Sequence, residues 1–204
     1  AKYAVWGPRY TSYPTAVEFS SDFGSAQWED ALKKDATRAT KLDAKARSQK
    51  DVSSAVSLYF HIPFCHSLCY YCACSKIVTR DRSKAENYLE LLLEEIRLQA
   101  PHVKDRLVTQ LHWGGGTPTY LDDDQVSQLM KGIWTNFNMA DDETGEYGIE
   151  IDPRTVDPQR IFRLREAGFN RLSMGIQDFD ARVQQAVNRK QPFDTTRTIM
   201  ETAR

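Results

Sequence analysis

Val56-Ser57-Leu58-Tyr59-Phe60-His61-Ile62 runs into Pro63-Phe64-Cys65-His66-Ser67-Leu68-Cys69-Tyr70-Tyr71-Cys72-Ala73-Cys74, and this stretch decides the fold. Its first seven residues, β-branched and aromatic, predict a strand. The segment after it holds every cysteine of the chain: Cys65, Cys69, Cys72 and Cys74. A disulfide framework spreads its cysteines to staple distant segments. A tight group with no distant partner points instead to a metal or cluster site.

Downstream, the pattern alternates. Ser83 to Gln99 predicts a helix, with Ser83 as cap, Glu86 three residues on, and Leu89, Leu92, Leu93 and Ile96 on one face. Val108 to Trp113 predicts a second strand, ending in Gly114-Gly115-Gly116. A helix over Asp122 to Phe137 leads to a third strand, Tyr147 to Ile151, which Asp152-Pro153 breaks. Asp157 to Ala167 predicts a helix stopped by Gly168, and Arg171 to Ile176 a fourth strand. Asp178 to Val187 and Thr195 to Ala203 are helical in pattern. Such alternation implies right-handed βαβ units on a parallel sheet, an α/β fold.

In these folds chemistry collects where strands end. Four unusual segments fall there: the cysteine loop, the triple glycine, Glu150-Ile151-Asp152-Pro153, and Ser173-Met174-Gly175-Ile176-Gln177. Four strands do not close an eight-stranded barrel of about 250 residues. The chain also stops at Arg204 inside a helical pattern. The expectation is therefore a partial (β/α) barrel over residues 56–204, the front part of a longer protein.

Residues 1–55 differ in character. Gly7-Pro8-Arg9-Tyr10-Thr11-Ser12-Tyr13-Pro14-Thr15 has turn formers and aromatics without a period, and reads as an extended arm. Trp28 to about Ala44 predicts a helix, and the charges from Lys41 to Asp51 a solvated connection.

Composition sets limits. The chain has 204 residues, 41% of them apolar and 27% charged, with a net charge of -1. That balance argues against a dedicated nucleic-acid binder, which carries a basic excess. No apolar run is long enough to span a membrane. No charged start with an apolar stretch and small-residue cleavage site supports secretion, so a cytoplasmic location is expected.

The cysteine spacing narrows the chemistry. Soft thiolates select zinc, copper(I) or iron–sulfur clusters. Structural zinc sites use two close pairs set well apart in sequence, which are lacking here. A [4Fe–4S] cubane takes four cysteines. Cys65, Cys69 and Cys72 alone leave one iron open to a small molecule. Cys74 could supply the fourth ligand, although Cys72-x-Cys74 is tight for a second corner.

Cys65-x-x-x-Cys69-x-x-Cys72 after a first strand resembles the radical S-adenosylmethionine (SAM) superfamily. The longer text is more specific. Tyr59 to Cys65, Cys69-Tyr70-Tyr71-Cys72-x-Cys74, His112 to Thr119, and Arg171 to Phe179 resemble the oxygen-independent coproporphyrinogen III oxidase family. So does the arm around Arg9 and Tyr10. The likeness runs from about residue 7 to 204.

The resemblance implies a partial TIM-like barrel of the radical SAM type. Cys65, Cys69 and Cys72 would hold a [4Fe–4S] cluster whose open iron chelates SAM. Tyr59, Gly115 and Glu150 stand where the family contacts that SAM. Tyr71, Gly116, Thr117, Gln177 and Arg189 stand where it contacts a second SAM molecule. Cys74 matches a family cysteine that is not a cluster ligand, and His61 a motif histidine beside the site; both are candidate catalytic residues. The sequence departs from the family at Ala73 and Ser75, where glycine and asparagine are usual. If position 73 needed positive φ, alanine would cost about 1 kcal/mol.

The implied reaction is oxidative decarboxylation of two propionates of coproporphyrinogen III to vinyls, giving protoporphyrinogen IX. An external electron cleaves SAM to methionine and a 5'-deoxyadenosyl radical, which takes hydrogen from the propionate β-carbon. Implied partners are the tetrapyrrole and a reductant protein such as flavodoxin or ferredoxin, with the enzyme a monomer. The guanidinium of Arg9 suits substrate propionates. Alternatives are a haem-binding radical-SAM-like chaperone and a radical SAM haem-degrading enzyme. Both typically lack the counterpart of Cys74 and the arm. A zinc-stapled interaction module is a further reading.

Overall fold

The structure is a computed structural model that describes residues 18–43, 55–141 and 143–204. Two compact units separate, residues 1–47 and 48–204. In the first, the described part is a helix, α1 (Ser25–Asp43), with the ion pairs Glu29–Lys33 and Asp30–Lys34 one turn apart. It starts three residues before the expected Trp28. The arm at 7–15, with Arg9 and Tyr10, and the connection over 44–51 lie outside the described residues.

The second unit is built on a parallel sheet in the order β1-β4-β6-β7. Its strands are β1 (Val56–Ile62), β4 (Leu107–Gly115), β6 (Glu146–Ile151) and β7 (Arg171–Met174). A two-residue strand, β5 (Asn138–Met139), adds to β4. Beyond β1, β2 (Phe64–Cys65) pairs in parallel with β3 (Ile77–Val78). The helices are α2 (Ser83–Gln99), α3 (Asp123–Asn136), α4 (Pro158–Glu166), α5 (Ala181–Ala186) and α6 (Phe193–Thr202). Parallel strands need long crossovers, and α2, α3 and α4 supply them.

Strand residues alternate in environment. Phe60, Ile62, Leu111, Trp113, Tyr147 and Ile149 are buried in one core with Leu89 and Ile96 of α2, Leu129 and Ile133 of α3, and Ile161 and Leu164 of α4. Residues of opposite parity, including Ser57, Tyr59, Gln110, His112, Glu146 and Ser173, line an open cavity of about 320 Å³. Period-two alternation thus leaves a polar, accessible sheet face opposite the helices.

The expected capping box at Ser83 does not form. Asp81 is the acceptor there, taking both the backbone N–H (3.1 Å) and the hydroxyl (2.7 Å) of Ser83. A complete capping box instead starts α3, where Asp122 accepts from the Gln125 N–H and the Asp122 N–H donates back to the Gln125 side chain. Asp157 and Asp180 are caps rather than helical residues, so α4 and α5 are shorter than expected. Gly168 takes φ +110° just past α4, as its role as a stop requires. No described helix is long and apolar enough to cross a membrane.

Candidate functional site

The cysteine loop leaves the sheet at β2 and returns at β3. The Ile77 N–H donates to the Pro63 carbonyl (2.7 Å) and the Thr79 N–H to that of Cys65 (3.0 Å), closing its neck. Its far end is tied to the end of α5. There the Tyr70 N–H donates to the Val187 carbonyl (3.0 Å), and the Asn188 amide to that of Leu68 (2.7 Å). Lys76 adds bonds to the carbonyls of Cys72 and Cys74. The loop is therefore held from both sides by backbone contacts.

Inside it, Cys65, Cys69 and Cys72 share the walls of a cavity of about 190 Å³ with His66, Asp152, Arg154 and Arg189. Cys69 is buried, Cys65 and Cys72 are half-buried, and all are free thiols. Cys74, exposed, is absent from those walls and lines the neighbouring cavity. Burial pushes the Cys65 thiol up, the nearby Thr117 hydroxyl (3.5 Å) pulls it down, and the other two thiols add to the rise. Mutual repulsion of thiolates is what a bound cation would relieve.

The donor set is soft, as an iron–sulfur cluster requires. Three thiols arrayed around a cavity suit a group in which each sulfur binds a different iron.

The second cavity, about 370 Å³, adjoins the first through Cys72, Gly116, Thr117, Asp152 and Arg189. Tyr71, Cys74, Gly115, Glu150 and Gln177 complete the predicted residues on its walls. Gly115 has φ +114°, and a Cβ there would lie 2.6 Å from the His61 ring. A Cβ on Gly116 would lie 2.6 Å from the Pro63 backbone. Glycine lets the chain turn and approach closely at both places. The Gly115 N–H donates to the Glu150 carboxylate (3.2 Å), fixing the acid at the end of β6.

Tyr59 and His61 sit beside this cavity rather than on its walls. The Tyr59 hydroxyl is 3.2 Å from His61 Nδ1, and His61 Nε2 is 2.8 Å from the Ser75 carbonyl. The Tyr59 ring stacks on His112, whose Nε2 is 3.8 Å from Glu150. Burial raises the pKa of Tyr59, and the Glu150 charge raises it further. The departures at 73 and 75 are accommodated. Among described non-glycine residues only Gln177 and Asn188 have positive φ, so Ala73 is unstrained. Position 75 serves His61 through its backbone.

Arg189 is more committed than its sequence context suggests. It donates to the Gly175 carbonyl (2.9 Å) and the Gln191 side chain (3.1 Å), and pairs with Asp152 (3.4 Å). The sequence reading missed two residues here. Asp152 is buried, and Arg154 grips its carboxylate with Nε (2.9 Å) and Nη2 (2.5 Å). Burial would raise the Asp152 carboxyl, but Arg154 and Arg189 outweigh it and hold it below the usual range. The available signal was Asp152-Pro153-Arg154 at a strand end, which reads first as a chain break.

Comparison with known proteins agrees with this geometry. The Radical SAM superfamily profile matches residues 59–204. An oxygen-independent coproporphyrinogen III oxidase of Pseudomonas aeruginosa is 47% identical over 204 residues, covering 100% of this chain and 41% of the relative. That of Escherichia coli K12 is 50% identical over 203 residues, covering 100% and 40%. One from Mannheimia haemolytica is 49% identical over 152 residues, covering 74% of this chain and 92% of the relative. The solved structure of the Escherichia coli coproporphyrinogen III oxidase, described as a radical SAM enzyme, superposes with a TM-score of 0.80 at 47% identity. That match covers 95% of this chain and 41% of the other. The chain thus spans about two fifths of the length of its first two relatives.

Proposed function

From the premise that this chain belongs to the radical SAM superfamily, and within it to the oxygen-independent coproporphyrinogen III oxidase family, we propose that it forms the cluster- and SAM-binding part of such an enzyme. The observation that carries this reading is the pair of adjoining cavities. Three free thiols wall one of them, and two glycines and a glutamate the other.

Cys65, Cys69 and Cys72 would hold a [4Fe–4S] cluster. When bound and reduced, that group would supply the electron for SAM cleavage, the start of hydrogen abstraction from a substrate propionate. The chain's own residues do the rest. The Gly115 backbone and the Glu150 carboxylate it fixes floor the second cavity, where an amino group meets the carboxylate as acceptor. Tyr59 steadies His61 at the back of that floor. The absence of a side chain at 115 and 116 lets SAM lie against the strand end. Tyr71, Thr117, Gln177 and Arg189 bind the second SAM molecule. Cys74 and His61, both off the walls of the cysteine cavity, handle a proton or hydrogen.

The reaction so served turns coproporphyrinogen III propionates into vinyls, each with loss of CO2 and one electron to an acceptor. We place the enzyme, a monomer reduced by a flavodoxin or ferredoxin, in the cytoplasm. Unpaired thiolates survive in a reducing compartment. The test is anaerobic iron–sulfur reconstitution of the full-length protein carrying these residues, then addition of reductant, SAM and coproporphyrinogen III. The reading expects 5'-deoxyadenosine and CO2 together; a loaded, reduced protein that makes neither would refute it.

A further inference from the structure

One of the three cavity cysteines is surrounded differently from the others. Cys69, 8% exposed, meets two guanidinium groups: Arg154 Nη2 and Arg189 Nη1 both lie 3.7 Å from its Sγ. Among the described residues, the Cys65 Sγ meets the Thr117 hydroxyl at 3.5 Å and no guanidinium contact is seen there. Between the two arginines sits the Asp152 carboxylate, itself 5% exposed. It takes three hydrogen bonds from the Arg154 side chain, a fourth from the Arg154 backbone N–H (3.0 Å), and pairs with Arg189 at 3.4 Å. The arginine side chains are 21% and 12% exposed.

Two cations against one anion leave a net positive charge beside a single sulfur, in a partly desolvated place. Charge and N–H···S contacts of this kind govern the reduction potential of an iron–sulfur cluster. Groups behind the ligands also fix ligand orientation. Reducing the cluster adds negative charge, so fixed positive charge favours the reduced form. A carboxylate whose fork-shaped partner is held by four bonds is built to aim that partner, and the aim is Cys69.

We propose that Arg154, aimed by Asp152, is a positioning residue that raises the reduction potential of the cluster through Cys69. This rests on the preceding reading that Cys69 is a cluster ligand. Arg189 contributes in the same sense, but its place on the wall of the second cavity makes it a poorer probe. Arg154 lines the cysteine cavity and is absent from the second one.

The experiment is an EPR-monitored redox titration of the reconstituted full-length protein, wild type against Arg154→Gln and Asp152→Asn. The two variants remove opposite charges and keep similar shapes. With iron content unchanged, Arg154→Gln should shift the potential to more negative values and Asp152→Asn to more positive ones. A merely structural role gives no such opposition of sign. Unshifted potentials, or shifts of one sign in both, would overturn the proposal. If Arg154→Gln fails to load, the sign of the Asp152→Asn shift alone decides. A wild-type protein that takes up no cluster would sink the underlying reading instead, so the two failures are told apart.

Discussion

Cys74 lies two residues beyond Cys72 and yet is absent from the cysteine cavity that Cys72 lines, a separation the sequence suggested only through the tight Cys72-x-Cys74 spacing. Cys74→Ser is therefore expected to keep the iron content of the wild type, whereas Cys65→Ser, Cys69→Ser or Cys72→Ser lose it. Iron analysis after reconstitution checks this, and equal loss in all four would make Cys74 a ligand. Gly115→Ala forces a side chain into positive φ and against His61, a strain of about 1–3 kcal/mol that denaturant titration would detect. Acid behaviour follows from Asp152, whose carboxyl is held below its unfolded value by Arg154 and Arg189 after burial has opposed them. Its contribution is present above the unfolded pKa and fades as pH falls through the lower folded one. Asp152→Asn should flatten that acid limb in denaturation measured across pH. The gathering of Cys65, Cys69 and Cys72 on one cavity was legible because their spacing confines them to one short loop. Arg154 was not, because a long side chain reaching back to a sulfur 85 positions earlier leaves no trace in local spacing.

The strands could be read from β-branched and aromatic runs, and their parallel order from the helices between them. Helix starts were less legible. Ser83 followed by Glu86 matches a capping box in letters, but Asp81 competes for the Ser83 N–H and hydroxyl and wins. At α3, Asp122 and Gln125 form the reciprocal pair, so Asp122→Ala should lower stability by about 1 kcal/mol in denaturant titration. Leu129, wholly buried on the same helix, should cost about 2–5 kcal/mol when cut to alanine. Neither side chain lines the cysteine cavity, so iron uptake should persist wherever the fold does. The pair β2–β3 was invisible in sequence, since two residues carry no period. It nonetheless closes the neck of the cysteine loop and so decides where the thiols stand.

Within the second unit, the described helices cover one face of the sheet, and the described residues on the other face, Tyr59, Gln110, His112 and Ser173 among them, line an open polar cavity. A chemistry that must exclude water needs that face covered. These 204 residues, which span 41% of the Pseudomonas relative, should accordingly load a cluster but turn coproporphyrinogen III over far more slowly than a full-length relative in the same assay. Equal turnover would show that the open face does not matter. Both expectations depend on the vacant coordination position implied by three thiol ligands. The direct probe is the EPR spectrum of the reduced, reconstituted protein before and after SAM is added. The account predicts a changed spectrum in wild type and in Cys74→Ser alike; a spectrum that SAM leaves untouched in the wild type would contradict it.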